Sequence, residues 1–160
     1  MILRAGLVGG LLTLAGCNSM YFSKQPENTC GLRNAERDAL LNPETNYKKM
    51  LSCLKAKNPS RALDYFALAG ISTWYDAQVR TSDMAGERHK ILLQNSLAML
   101  DSSAKEQVWD DFSRMMRNKK QLESVCKYTK AVGEYRKRSQ VFDDLAWEQA
   151  EEGYLHCSFQ

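Results

Sequence analysis

Five cysteines are the most reactive side chains in this chain of 160 residues, and they are not placed alike. Cys17 closes an apolar run just before the first polar residues, whereas Cys30, Cys53, Cys126 and Cys157 are spread through the rest. No CxxC spacing and no Cys/His cluster occurs, so no zinc ligand set is evident. The two histidines, His89 and His156, lie in neither an HExxH motif nor a triad-like setting. His89, in "GERHKILL", reads as part of a solvated helix face, and His156 as packing around the tail. The acidic pairs Asp110-Asp111, Asp143-Asp144 and Glu151-Glu152 are adjacent. Helical neighbours point about 100° apart and do not converge on one substrate atom, so these pairs also read as solvated faces. The sequence therefore assigns no catalytic residue, metal or cofactor, and points to a protein that binds rather than an enzyme.

Cys17 has a different chemistry. One positive charge, Arg4, precedes an apolar segment from Leu7 to Ala15, the layout of a secretory leader. The segment is shorter than the ~20 apolar residues that a helix needs to span a bilayer core. The tetrad Leu14-Ala15-Gly16-Cys17 resembles the lipobox of bacterial lipoproteins. The resemblance implies removal of residues 1–16, a diacylglycerol on the Cys17 sulfur and a third acyl chain on its new amino group. Two or more acyl chains hold a protein stably on a membrane, each buried CH₂ contributing ~0.8 kcal/mol. Asn18 stands where an aspartate would, in enterobacterial lipoproteins, favour the inner membrane. The implied address is thus the periplasmic face of the outer membrane in a Gram-negative cell.

Loss of Arg4 with that leader would leave 21 of the 22 basic side chains against 19 acidic ones, a near balance. With 44% hydrophobic residues, the chain after Cys17 suffices for one compact domain, 30–160, on a short tether, 17–29. In an exported chain, the four remaining cysteines read as two disulfides, with three possible connectivities. If two antiparallel helices meet at Asn42-Pro43, Cys30 lies 12 positions before Asn42 and Cys53 lies 11 after it. The two are then nearly level across the hairpin, because a helix rises about 1.5 Å per residue. The remaining pair, Cys126 and Cys157, is harder to close. With a reversal at Gly133, it meets only if the last helix ends near Gly153 and "YLHCSFQ" folds back.

The elements that must position these residues read as helical throughout. The spacing predicts helices from about Leu32 to Leu41, Pro43 to Ala56, a long one after Asn58, and Ala85 to Leu100. Ser103 and Glu106 form a capping box for the next helix, which buries Val108, Phe112 and Met115. Leu122, Val125, Cys126, Thr129 and Val132 share one side of another, with a bend or a continuous helix both open at Gly133. Val141, Phe142, Leu145 and Trp147 pack the last. The expected fold is all-α, a bundle or short array of six to seven helices in antiparallel hairpins. Ala62-x3-Phe66-x2-Ala69 resembles part of a tetratricopeptide B helix, but the partner-helix residues, the closing proline and any 34-residue repeat are absent. Glu123-Ser124 resembles the Glu-Ser pair of lytic transglycosylases, yet "VCKYTK" follows where that family has Gly-Leu-Met-Gln.

Charge is the more informative pattern. Between Arg114 and Arg138 nine basic residues face only Glu123 and Glu134, while Asp143 to Glu152 holds five acidic residues and no basic one. Lys127, Lys130, Arg136, Lys137 and Arg138 are therefore the expected partner-binding residues. An exported address argues against nucleic acid and favours an acidic envelope protein, alongside the membrane reached through the lipid anchor. The expected function is an interaction or assembly module of the cell envelope; the alternative is an immunity lipoprotein that neutralises a periplasmic toxin. Replacing Cys17 by Ser should move the protein out of the membrane fraction, and retention there would count against acylation.

Overall fold

The computed structural model describes residues 30–80, 84–139 and 141–157; Cys17, its leader and the tether lie outside them. Among the described residues the secondary structure is entirely helical: α1 (Ala35–Ala39), α2 (Pro43–Lys55), α3 (Pro59–Val79), α4 (Ala85–Leu97), α5 (Ser102–Arg117), α6 (Lys119–Ser139) and α7 (Asp144–Leu155). No described helix is long and apolar enough to cross a membrane.

The helices start where short polar side chains can satisfy the orphan amides of a first turn. Asn34, Asn42, Asn58, Asp101 and Asp143 each accept the backbone N–H of the residue three positions on. Pro43 and Pro59 follow two of these caps, at positions where a missing N–H costs nothing. Asp101, not Ser103, caps α5, and its carboxylate also suits the positive end of the helix dipole. The capping also corrects the first helix. It runs over Ala35–Ala39 rather than from Leu32 to Leu41, and both Leu32 and Leu40 are exposed.

Helix α3 is the hub, packing against α2, α4, α5, α6 and α7. It is buried nearly all round, with Ala62, Ala67, Ala69 and Gly70 letting neighbours approach. Two aromatic rings of α7 occupy glycine notches in other helices. The Tyr154 ring lies where a Cβ on Gly70 of α3 would stand, and Trp147 Nε1 is 2.6 Å from the position of a Cβ on Gly133 of α6. Gly133 therefore produces no bend, and α6 is continuous to Ser139.

That continuity explains the second disulfide. The chain reverses between Ser139 and Asp144, with Cys126 thirteen residues before one and Cys157 thirteen after the other. The two cysteines stand level, their Cα atoms 5.7 Å apart; α7 ends at Leu155, close to the expected Gly153, and the correction is only that the reversal lies after Ser139 and not at Gly133. Cys30 and Cys53 pair as expected, with Cα atoms 4.6 Å apart, but not across a helical hairpin: Cys30 precedes the short α1, which packs against α6. Of the residues expected in the core, Trp147 is buried but Val141 and Leu145 are exposed, and Ala150 and Leu155 are buried instead.

Four charges hold the centre. Arg61 on α3, 4% exposed, donates to Asp38 of α1, to Asp64 and to the Tyr65 hydroxyl. Asp38 also accepts from the Tyr128 hydroxyl of α6, and Arg33 grips Asp64 with two bonds of 2.6 and 2.8 Å. Burial disfavours the Arg61 charge, but the bond to Asp38, together with the electrostatic pull of Asp38, Tyr128 and Tyr65, outweighs it and holds the guanidinium above its ordinary range. Removing one partner of a buried ion pair typically costs about 3–5 kcal/mol, whereas an exposed pair contributes about 0–1 kcal/mol. Arg61→Met should therefore lower the stability by several kcal/mol in urea unfolding. Lys137→Met, which removes the exposed pair with Asp144, should leave the urea midpoint close to that of the wild type.

Candidate functional site

Helix α6 and the chain after α7 enclose a groove of about 370 Å³. A helix turns about 100° per residue, which places Lys127 and Lys130 within about 80° of Lys119 on one flank of α6. These three lysines rim the groove with His156, and Leu122 with the Cys126–Cys157 disulfide forms an apolar floor. His156 ends α7 in the left-handed conformation, φ 56° and ψ 36°, and this turns the chain so that Cys157 points back at α6. The disulfide thus fixes both the floor and the histidine side of the rim. Glu123, 3.9 Å from Lys119, is the one carboxylate lining the groove among the described residues.

The five basic residues expected to bind a partner do not share one face. Lys127 and Lys130 are exposed and meet at this groove, joined by Lys119, which the sequence reading did not single out. Lys137 is exposed and lies 2.6 Å from Asp144, and the Arg138 guanidinium sits 4.9 Å over the Tyr135 ring. Arg136 is a correction. It is 6% exposed, donates 2.8 Å to the Leu41 carbonyl and lies 5.0 Å over the Trp147 ring. One residue before Lys137, it falls on the inner side of α6 and joins the core rather than a surface patch.

Two other readings change. His89 is no solvated-face residue: Tyr47 and Tyr154 hydroxyls meet its two ring nitrogens at 2.5 and 3.0 Å, and Phe66 packs against the ring. Burial pushes its pKa down. Glu151, likewise read as solvated, is 1% exposed at the base of a 90 Å³ cleft between α6 and α7, beside Trp147 and Lys130. Burial outweighs Thr129, Trp147 and Lys130 and pushes its carboxyl up to about 7. Only periodicity could have flagged Glu151, which falls one turn after Trp147 and one residue after Ala150 on the buried side of α7. Of the Glu123-Ser124 pair, Ser124 accepts a 2.8 Å bond from Arg33, so its hydroxyl serves the central cluster. Among the described residues no group of three or more His, Cys, Asp or Glu is placed to hold a metal ion.

Compared with known proteins, the chain matches no family model, no curated protein and no solved structure.

The Glu151 carboxyl binds its proton more tightly in the folded chain than in the unfolded one, whose carboxyl titrates near 4.5. Its effect on stability is therefore most favourable below pH 4.5 and is lost as pH rises through 7, by at most about 3 kcal/mol. Glu151→Gln should remove that loss, so the stability difference between variant and wild type should grow in the variant's favour from pH 4.5 to pH 8. A difference independent of pH would contradict a buried, proton-retaining Glu151.

Proposed function

We propose that this chain is an acylated lipoprotein of the bacterial envelope that works by contact, the lysine-rimmed groove on α6 receiving an acidic segment of a partner protein. Cys17 carries the anchor, residues 17–29 are the tether, and the helical domain faces the periplasm from the outer membrane. The reading is supported chiefly by the convergence of Lys119, Lys127 and Lys130 on one groove with an apolar floor. A cationic rim speeds encounter with an acidic partner and selects against a basic one, while the apolar floor supplies area to bury. The disulfide under that floor suits an oxidising compartment, as does its counterpart between Cys30 and Cys53.

The test is affinity capture from envelope extracts with the full chain as bait. Lys127→Glu with Lys130→Glu should abolish capture of a specific partner, and raised salt should weaken it in the wild type. Lys90→Glu, an exposed charge on α4, should leave capture intact. A partner retained by the doubly reversed chain would remove the groove from the proposal. Arg136 is unsuitable for such a test, since its replacement would disturb the core.

A further inference from the structure

The lysine groove and the cleft above Glu151 are neighbours along one seam. Helix α6 forms a wall of each, faced by the chain after α7 in the groove and by α7 itself in the cleft. Among the described residues, Lys130 alone lines both. It is exposed, and a lysine ammonium is a compact charge on a flexible stem that can turn toward either concavity. Glu151, at the base of the cleft, is the buried carboxyl on which that charge acts.

The other groups around Glu151 do not take the place of Lys130. Helix α7 packs against α3 and α6. From α6, Lys137 is held by Asp144 at 2.6 Å, and Glu134 is exposed at the mouth of the cleft, as is Glu148 of α7. Thr129 and Trp147 face the carboxyl as hydrogen-bonding groups without charge. Helix α3 meets α7 between the Gly70–Tyr154 and Tyr75–Trp147 contacts, and its residues 66–74 carry no charge, which leaves the Tyr75 phenol as the titratable group there.

Burial disfavours the Glu151 anion, so the carboxyl keeps its proton up to about pH 7. Below that pH the neutral acid makes no demand on Lys130. Above it, the carboxylate draws the ammonium toward the cleft and sets a negative charge behind the rim, and both effects oppose an acidic segment in the groove. We propose that Glu151 regulates the lysine groove through Lys130, so that the groove takes up its acidic partner segment together with a proton and releases it as that proton is lost. The proposal rests on the groove's role as the docking site and adds its regulation. The coupling is reciprocal: a bound acidic segment competes for Lys130 and makes Glu151 harder to ionise.

Hexa-aspartate is the probe, because aspartate carboxylates titrate at about 3.9 and stay ionised from pH 6 upward. Titrated calorimetrically into the full chain in nanodiscs of zwitterionic lipid at low salt, it should bind roughly threefold or more tightly at pH 6 than at pH 8. Glu151→Gln should bind it equally at both. His156→Asn removes the imidazole of the rim with a residue that accepts the left-handed turn, and should keep the pH dependence. A measurement without peptide tests the same link. Lys130→Met, at an exposed position, should raise the pH at which the Glu151 carboxyl carbon titrates by NMR. No binding of hexa-aspartate at either pH would overturn the groove as a docking site, and the coupling with it. Binding no tighter at pH 6, a pH dependence that survives Glu151→Gln or is lost in His156→Asn, or a Glu151 titration unmoved by Lys130→Met would overturn the coupling alone.

Discussion

The cluster of buried Arg61, Asp38 and Asp64, closed from its rim by the partly exposed Arg33, is the constraint on which the remaining structure rests. Arg61 alone would leave one of the two buried carboxylates uncompensated, and Arg33 supplies the second guanidinium from the solvent side. Desolvation makes such a cluster no cheaper than a well-packed apolar core, and its physical effect is directional. Arg61 meets Asp38 and Asp64 in only one arrangement of α1 on α3, and the Tyr128 hydroxyl on Asp38 brings α6 into register with both. The five-residue α1, too short to be stable alone, is held by these bonds and by the Cys30–Cys53 bridge behind it.

With α6 set, the position of α7 follows. Trp147 enters the notch at Gly133, Tyr154 enters the one at Gly70, and the Cys126–Cys157 bridge closes the far end. Replacing either glycine would put a methyl group into an aromatic ring, overpacking of a kind that typically costs about 1–3 kcal/mol. The lysine groove inherits its shape from this packing: its rim depends on the register of α6 and on the turn at His156. A binding protein gains from such rigidity, because less conformational freedom is lost on association.

Much of this architecture was legible in the residues. Asn42-Pro43 and Asn58-Pro59 announced two helix starts, and Cys30 was paired with Cys53 correctly, though from a helical hairpin that the five-residue α1 does not form. The second pairing was expected on the wrong geometry, because a glycine that weakens a helix in isolation can be there to admit a neighbour's ring, as Gly133 admits Trp147. The buried charges were missed because charged residues are rarely buried, and a single helix does not reveal a compensating partner far along the chain. Arg61 and Asp64 did carry a signal, two charges three residues apart at the start of a helix with no further charge until Asp76. The basic segment misled in the same way: composition counted Arg136 with its neighbours, while the helical turn sent it inward.

The proposed lipoprotein carries its folded domain on an acylated Cys17 in an oxidising compartment. The direct measurement is intact and peptide mass spectrometry of the native protein, extracted from membranes without reductant and treated with a thiol-alkylating reagent. The expected result is an N-terminal peptide that begins at Cys17 and bears the diacylglyceryl and amide-linked acyl masses, with no alkylated cysteine in the domain. A chain that retains residues 1–16, or carries an unacylated Cys17, or takes up the reagent at Cys30, Cys53, Cys126 or Cys157, would contradict it.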